Sequence, residues 1–460
     1  MRISTTAKAG GIVLAFSLAA TACGSSRSGD PVTDADGPDQ AASAKTFGDL
    51  PSPCGPGSAK GATAQGVTDT EIRIGYGDDR GFTAAPGLGE ENGDAIDAMI
   101  EWCNARGGIL GRKITGTRYD AALTNAAAVM QKACASDFML VGQGFAYDEA
   151  AEPIRVGCGL PSVPSYTVGP NAGMGPDKFE PMPFPVDRYN ASGLAQSLDL
   201  VPEFGQSPTM VLSDSPPVKA SSAKVAAVLG KLGVEVNDCG ISMSQNGEAN
   251  YVPFAQKFKD CGASAVWTSN GPIPSQMGLF EALDRIGSNP PKVVEAQWYT
   301  EVASQWNGKS GAADGLITSL YFQPFENAAQ APAVKQYVDL VKADGNKPAM
   351  LGMSATSAFL LWATAAKGCG DDLTRECVVK GLSEVHEWTG GGLHAPSDPG
   401  GNLPSHCALV VRLDGGSWKQ VSPAKQGEFS CDKSKVIELD PKLSGVTLNG
   451  DRVSTRFLKK

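Results

Sequence analysis

Eleven cysteines stand in this 460-residue chain, and one of them is placed unlike the rest. Cys23 directly follows the small residues Ala20-Thr21-Ala22, behind the apolar stretch Gly10 to Ala20 and the basic residues Arg2 and Lys8. A thiol so placed, as in a lipobox, can accept a diacylglyceryl group before a peptidase cuts in front of it. The apolar stretch has signal-peptide length, too short for a permanent membrane span. Ala20 stands where that motif most often has Leu, which leaves open an ordinary thiol beside a conventional cleavage site. The other ten, Cys54, Cys103, Cys134, Cys158, Cys239, Cys261, Cys369, Cys377, Cys407 and Cys431, form an even set suited to bridges in an oxidising compartment. There is no C-x-x-C pair and there are only three histidines, His386, His394 and His406, so the closely spaced ligands of a structural zinc site are missing. Hydrolase chemistry also lacks its residues. No G-x-S-x-G occurs, Gly352-Met353-Ser354-Ala355-Thr356 falls in a helical pattern, and the histidines cluster near the Gly/Pro-rich stretch Gly390 to Pro404. The chain is therefore expected to be no enzyme and to use no metal or cofactor.

Charge and composition narrow the partners. A net charge of −10 without a lysine or arginine run argues against nucleic acid and anionic lipid surfaces. No second long apolar run follows the leader, so contact with a membrane is expected only through lipid on Cys23, at the outer face of the cytoplasmic membrane. The expected organisation is a signal peptide at 1–22, a lipidated flexible tether at 23–65 rich in Gly, Ser, Asp, Pro and Ala, and about two domains behind it. Cys54 suggests that the far end of the tether is pinned to the folded part.

From there, short β-branched runs alternate with helical patterns. Strands are expected at Glu71–Tyr76, Arg112–Asp120, Phe138–Gly142 and Pro161–Val163, with helices Asn92–Ala105, Asn125–Ser136 and Asp148–Arg155 between them. After a turn-rich stretch the rhythm returns. Strands are expected at Thr209–Ser213, Val234–Val236, Ala265–Thr268 and Lys292–Ala296, with helices Lys219–Leu232, Tyr251–Cys261 and Gln276–Ile286. Such βαβ order predicts an α/β protein of two Rossmann-like lobes, each a parallel sheet covered by helices. Lobe 1 is expected over 66–185 and lobe 2 over 186–320. Residues 321–425 supply crossing segments, helices Pro332–Asp344 and Met353–Lys367, and a closing hairpin over Ala408–Leu413 and Ser417–Val421. A C-terminal extension follows at 426–460.

Two phrases carry a resemblance. Gly66-Val67-Thr68-Asp69-Thr70-Glu71-Ile72-Arg73-Ile74-Gly75 and Asn104-Ala105-Arg106-Gly107-Gly108-Ile109-Leu110-Gly111-Arg112-Lys113-Ile114 resemble the opening strand and first-helix exit of type I periplasmic solute-binding proteins, in the branch that binds leucine, isoleucine and valine. The likeness runs over most of Gly66 to Pro423. It implies two lobes joined by a multi-strand hinge, a small solute in the cleft, and delivery to the membrane permease of an ABC transporter by a monomeric receptor. A sensor of the same fold with a signalling partner is the alternative. With that family's strand order, the cysteines are expected to pair with their nearest neighbours in sequence and to leave the hinge free.

In an open parallel sheet, ligands sit beyond the carboxyl ends of the strands. The candidate solute residues are therefore Tyr76 and Asp78 after the first strand, Gln143, Phe145 and Tyr147 after the third, and Ser165, Tyr166 and Thr167 after the fourth. The second lobe adds Asn270, Trp298, Tyr299 and Glu301, with Tyr321 near a crossing. The resemblance implies Ser or Thr hydroxyls for a ligand carboxylate after strands three and four, but the first place reads Gly144-Phe145-Ala146-Tyr147. That departure argues against an ordinary branched-chain amino acid, and the many rings among the candidates favour an apolar or aromatic solute. Glu301 falls near the place of an ammonium-binding acid, and equally fits a solvated glutamate in a first helical turn.

Overall fold

The computed structural model describes residues 45–448, except 84 and 246; the leader, Cys23 and the first part of the tether lie outside the described residues. Residues 45–65 of the expected tether are packed against the body. The ribbon Thr46–Phe47 with Leu50–Pro51 buries Phe47 edge-on against Trp102, ring centroids 5.6 Å apart, and Cys54 is bridged to Cys103.

The first lobe is built on a four-stranded parallel sheet of β1 (Glu71–Asp78), β2 (Lys113–Asp120), β3 (Met139–Val141) and β4 (Ser162–Val163), in the order β2-β1-β3-β4. Ile72, Ile74 and Tyr76 of β1 are buried, and β1 pairs in register along the whole of β2, from Glu71 opposite Lys113 to Asp78 opposite Asp120. The helix Glu90–Ala105 leads from β1 to β2 and explains the Asn-Ala-Arg-Gly-Gly phrase. Asn104 brackets the Ile114 backbone, its amide donating to the carbonyl and its oxygen accepting the N–H, both at 2.8 Å. Gly108 turns the chain at φ +73°, where a Cβ would lie 2.7 Å from the Arg112 carbonyl carbon.

The second lobe has β5 (Thr209–Ser213), β6 (Ser242–Met243), β7 (Val266–Thr268), β8 (Lys292–Val294), β9 (Leu316–Leu320), β10 (Cys407–Asp414) and β11 (Ser417–Ser422), in the order β11-β10-β9-β8-β7-β5-β6. β5 to β9 are mutually parallel, and β10 and β11 close the edge as an antiparallel hairpin. The expected strand Val234–Val236 is not one. That segment makes no ladder; Asn237 N–H bonds the Pro208 carbonyl, and the chain pairs with β5 only where Ser242 and Met243 meet Leu212 and Ser213.

Two late helices return to the first lobe. Met350–Gly368 is buried on nearly every face, as a helix apolar all round must be, and packs on Glu90–Ala105 and on Arg375–Ser383. No helix among the described residues is long and apolar enough to cross a membrane. Between the lobes, Tyr321–Gln323 runs antiparallel to Leu393–Ala395, joined by Gln323 N–H on the Leu393 carbonyl and Ala395 N–H on the Tyr321 carbonyl. The C-terminal segment adds Val436–Glu438 to Arg188–Asn190, buries Leu439 in the second-lobe core, and ends with Val446 against Met174 and Val186.

Five bridges staple these parts: Cys54–Cys103, Cys134–Cys158, Cys239–Cys261, Cys369–Cys377 and Cys407–Cys431. Each joins cysteines that follow one another along the chain.

Candidate functional site

A cleft of about 1900 Å³ opens between the lobes. On the first-lobe side the chain leaving β3 supplies Tyr147 and Asp148, the chain leaving β4 supplies Ser165, Tyr166 and Thr167, and the helix after β1 supplies Glu91. On the second-lobe side Ser221 and Lys224 come from the helix Pro216–Lys231, Ser269 follows β7, and Glu295 follows β8. The crossing segments add Glu180, Phe184, Tyr189 and Tyr321.

On the first-lobe wall two hydroxyls are engaged, while that of Tyr166 bonds no described residue. Ser165 Oγ donates to Asn92 Oδ1 at 2.7 Å, and Thr167 Oγ1 donates to Glu180 Oε2 at 3.0 Å. Glu180 is buried and also pairs with Lys178 at 3.3 Å, yet burial still pushes its pKa up. Asp148 accepts the N–H groups of Val168 and Gly169 at 2.8 and 2.7 Å, and burial raises it to about 7. Burial also raises Glu91. Tyr166 leans over Gly144. A Cβ there would meet ring Cδ1 at 2.8 Å and Ser165 Oγ at 2.9 Å, so a ring occupies the space that a side chain would need at the first residue of the segment where Ser or Thr was expected.

On the opposite wall Glu295 accepts from Ser221 Oγ at 2.7 Å, and burial raises it to about 7 against the field of Lys224. Among the described residues one cluster has metal-ligating types, His406 with Cys407 and Cys431, but both sulfurs are consumed in a bridge.

Two lobes, a crossing ribbon and a cleft at the strand ends agree with a further observation: residues 71–417 match the family model described as periplasmic binding protein. The chain belongs to the periplasmic binding protein family. No curated protein matches it. Among solved structures, the fatty acid ABC transporter substrate-binding protein from Thermomonospora curvata shares 16% identity at a TM-score of 0.63, covering 88% of this chain and 99% of that one. An ABC transporter substrate-binding protein from Sphaerobacter thermophilus shares 17% at 0.63, covering 79% and 98%. The leucine binding protein from Thermotoga maritima shares 16% at 0.59, covering 77% and 98%. At such identities the likeness is one of fold.

Seven of the thirteen expected solute residues border the cleft of this binding protein: Tyr147, Ser165, Tyr166, Thr167, Tyr299, Glu301 and Tyr321. Glu301 sits at the rim, 60% exposed in its side chain, as the first residue of the helix Glu301–Ser310, and pairs with Lys347 at 3.3 Å. The other six lie behind the walls. Tyr76 is core, its hydroxyl on Asp97. Asp78 has no exposed surface and is held by Arg118 at 2.8 Å and Arg80 at 3.2 Å. Phe145 packs with Tyr119 and Met130. Gln143 is buried and gives its carbonyl to Ser165. Trp298 stacks on Phe280 at 5.2 Å and donates its indole N–H to the Asn270 carbonyl, while the Asn270 side-chain oxygen accepts from Ser213. The strand-end rule marks the edge of each sheet that borders the cleft but includes side chains that point back into the lobe. It misses Glu180, Phe184, Lys224 and Glu295. Lys224 lies eight residues into a helix, and Glu180 and Phe184 lie in the turn-rich stretch, so no local pattern marks them. Glu295 falls inside the run Lys292–Ala296 that reads as a strand.

Proposed function

We propose that this chain is an extracytoplasmic receptor, anchored by lipid on Cys23, that closes its lobes on one small solute and passes it to the permease of an ABC transporter. The cleft between two lobes, lined by Tyr166, Thr167, Tyr299 and Tyr321 beside buried carboxyls, carries this reading. The seven residues named above at the cleft are among those that touch solute, while Tyr76, Asp78, Gln143, Phe145, Asn270 and Trp298 hold its walls. The receptor acts as a monomer, with lobe 1 over 66–185 and lobe 2 over 186–320. At about 1900 Å³ the open cleft exceeds the roughly 300–1,000 Å³ of ordinary ligand pockets, which suits a body larger than leucine or a cleft that narrows on closing.

A thermal-shift screen of amino acids, amides, aromatic acids, fatty acids and short peptides tests this, since a solute at 100 times its Kd adds about 2.7 kcal/mol to stability. A hit accompanied by a smaller radius of gyration in solution scattering supports hinge closure. A hit with no change in radius refutes closure, and no hit in any class refutes the receptor reading.

A further inference from the structure

Lys224 reaches the cleft from the helix Pro216–Lys231 with only 9% of its surface exposed. Its ammonium makes no hydrogen bond or ion pair with a described residue and stands 5.1 Å from the Phe184 ring centroid. A buried cation without a bonded counter-ion is costly and is retained where something anionic arrives. Glu295 does not fill that role at bonding distance. Its carboxyl is bonded to Ser221, and burial holds it near neutral pH, so it exerts only a field on the lysine.

Lys224 is accompanied by other donors in the same state. Tyr189 and Tyr321 border the cleft, and their hydroxyls bond no described residue and lie within the field of the same Glu295. Burial keeps both phenols neutral, so each offers an O–H. The buried indole N–H of Trp267, in the same lining, is also unpartnered. The opposite wall is acidic through Glu91, Asp148 and Glu180, its hydroxyls on Ser165 and Thr167 are engaged, and the unbonded hydroxyl of Tyr166 stands in the field of Asp79, Asp148 and Glu91.

We propose that the cleft takes a monocarboxylic acid with an apolar body, its carboxylate held by the Lys224 ammonium and the Tyr189 and Tyr321 hydroxyls, with the Phe184 ring against its body. A carboxylate supplies about four acceptor sites to these donors, and the acidic first-lobe wall disfavours a second negative group. This places the acid group on the second-lobe side, away from the Gly144 position. The inference rests on the cleft being the solute site.

The test compares matched probes on the full mature chain: phenylacetate and octanoate, their neutral amides, and phenethylamine and octylamine. Binding is followed by calorimetry on wild type, Lys224→Met and Lys224→Arg. The acids should bind wild type at least tenfold more tightly than the amides or amines. Lys224→Met should lose tenfold or more for the acids, with little change for the amides, and Lys224→Arg should recover part of that loss. Cooperative melting of unliganded Lys224→Met shows that the variant folds, and the acid-to-amide ratio on wild type stands whether it folds or not. Amides binding as tightly as acids, or unchanged acid binding to folded Lys224→Met, would overturn the proposal. Binding of amines or neutral solutes alone sinks the acid assignment and leaves the receptor reading intact; silence across this panel and the wider screen sinks both.

Discussion

Replacing Gly144 with serine installs a hydroxyl in the segment Gly144-Phe145-Ala146-Tyr147, where the family resemblance implies a Ser or Thr, and the structure says why this chain cannot accept it unchanged. The new Cβ would lie 2.8 Å from Tyr166 Cδ1 and 2.9 Å from Ser165 Oγ, well inside ordinary contact distance. The ring must rotate out or the backbone must shift, and overpacking of this kind costs about 1–3 kcal/mol. That is a factor of roughly 5 to 150 in the unfolding equilibrium. Removing the ring as well separates the clash from other effects. Urea titrations of wild type, Gly144→Ser, Tyr166→Ala and the double variant close a thermodynamic cycle. The serine should be markedly less harmful in the Tyr166→Ala background, with a coupling of at least about 1 kcal/mol. Additivity within about 0.5 kcal/mol would show that the ring does not occupy that space, and the account of the Gly144 departure would fall.

Two further predictions concern buried ionisable groups. His394 is fully enclosed, donating from Nδ1 to the Ala395 carbonyl and accepting the Ser357 hydroxyl at Nε2, and burial lowers its pKa to about 4. The unfolded chain therefore binds the extra proton first, and stability falls as pH drops from about 6.5 to about 4, by about 3 kcal/mol from this group. Asp148 and Glu295, raised to about 7, contribute in the opposite sense, so the measurement is the difference in acid slope between wild type and His394→Gln. Equal slopes would refute the assignment. Arg118→Met strips the 2.8 Å partner from Asp78, which has no exposed surface and keeps Arg80 at 3.2 Å, and should destabilise by about 1–3 kcal/mol in urea at pH 7; unchanged stability would contradict it.

The two-lobed fold is legible because β1, with its alternating Ile72 and Ile74, and the apolar β5 are flanked by helix patterns, and that signal is local. Val234–Val236 has the same composition but lies where Asn237 bonds back to Pro208, so propensity alone places the strand several residues early. The ribbon of Arg188–Asn190 with Val436–Glu438 is invisible in sequence, since three polar-flanked residues become a strand only when a distant partner arrives. The site divides in the same way. Tyr166, Thr167 and Tyr321 follow from strand ends, whereas Glu180 and Lys224 are brought in by a crossing segment and by the facing of a helix, neither of which leaves a local mark.

The order of the bridges has a consequence for how the chain matures. Ten cysteines admit on the order of 900 pairings, and the one adopted is the simplest to write, each cysteine with the next. A chain emerging from its N-terminus presents each thiol to its partner before the next pair is exposed. Oxidation in order of emergence thus yields the native set without reshuffling, and an oxidase that joins consecutive cysteines would suffice where an isomerase would otherwise be required.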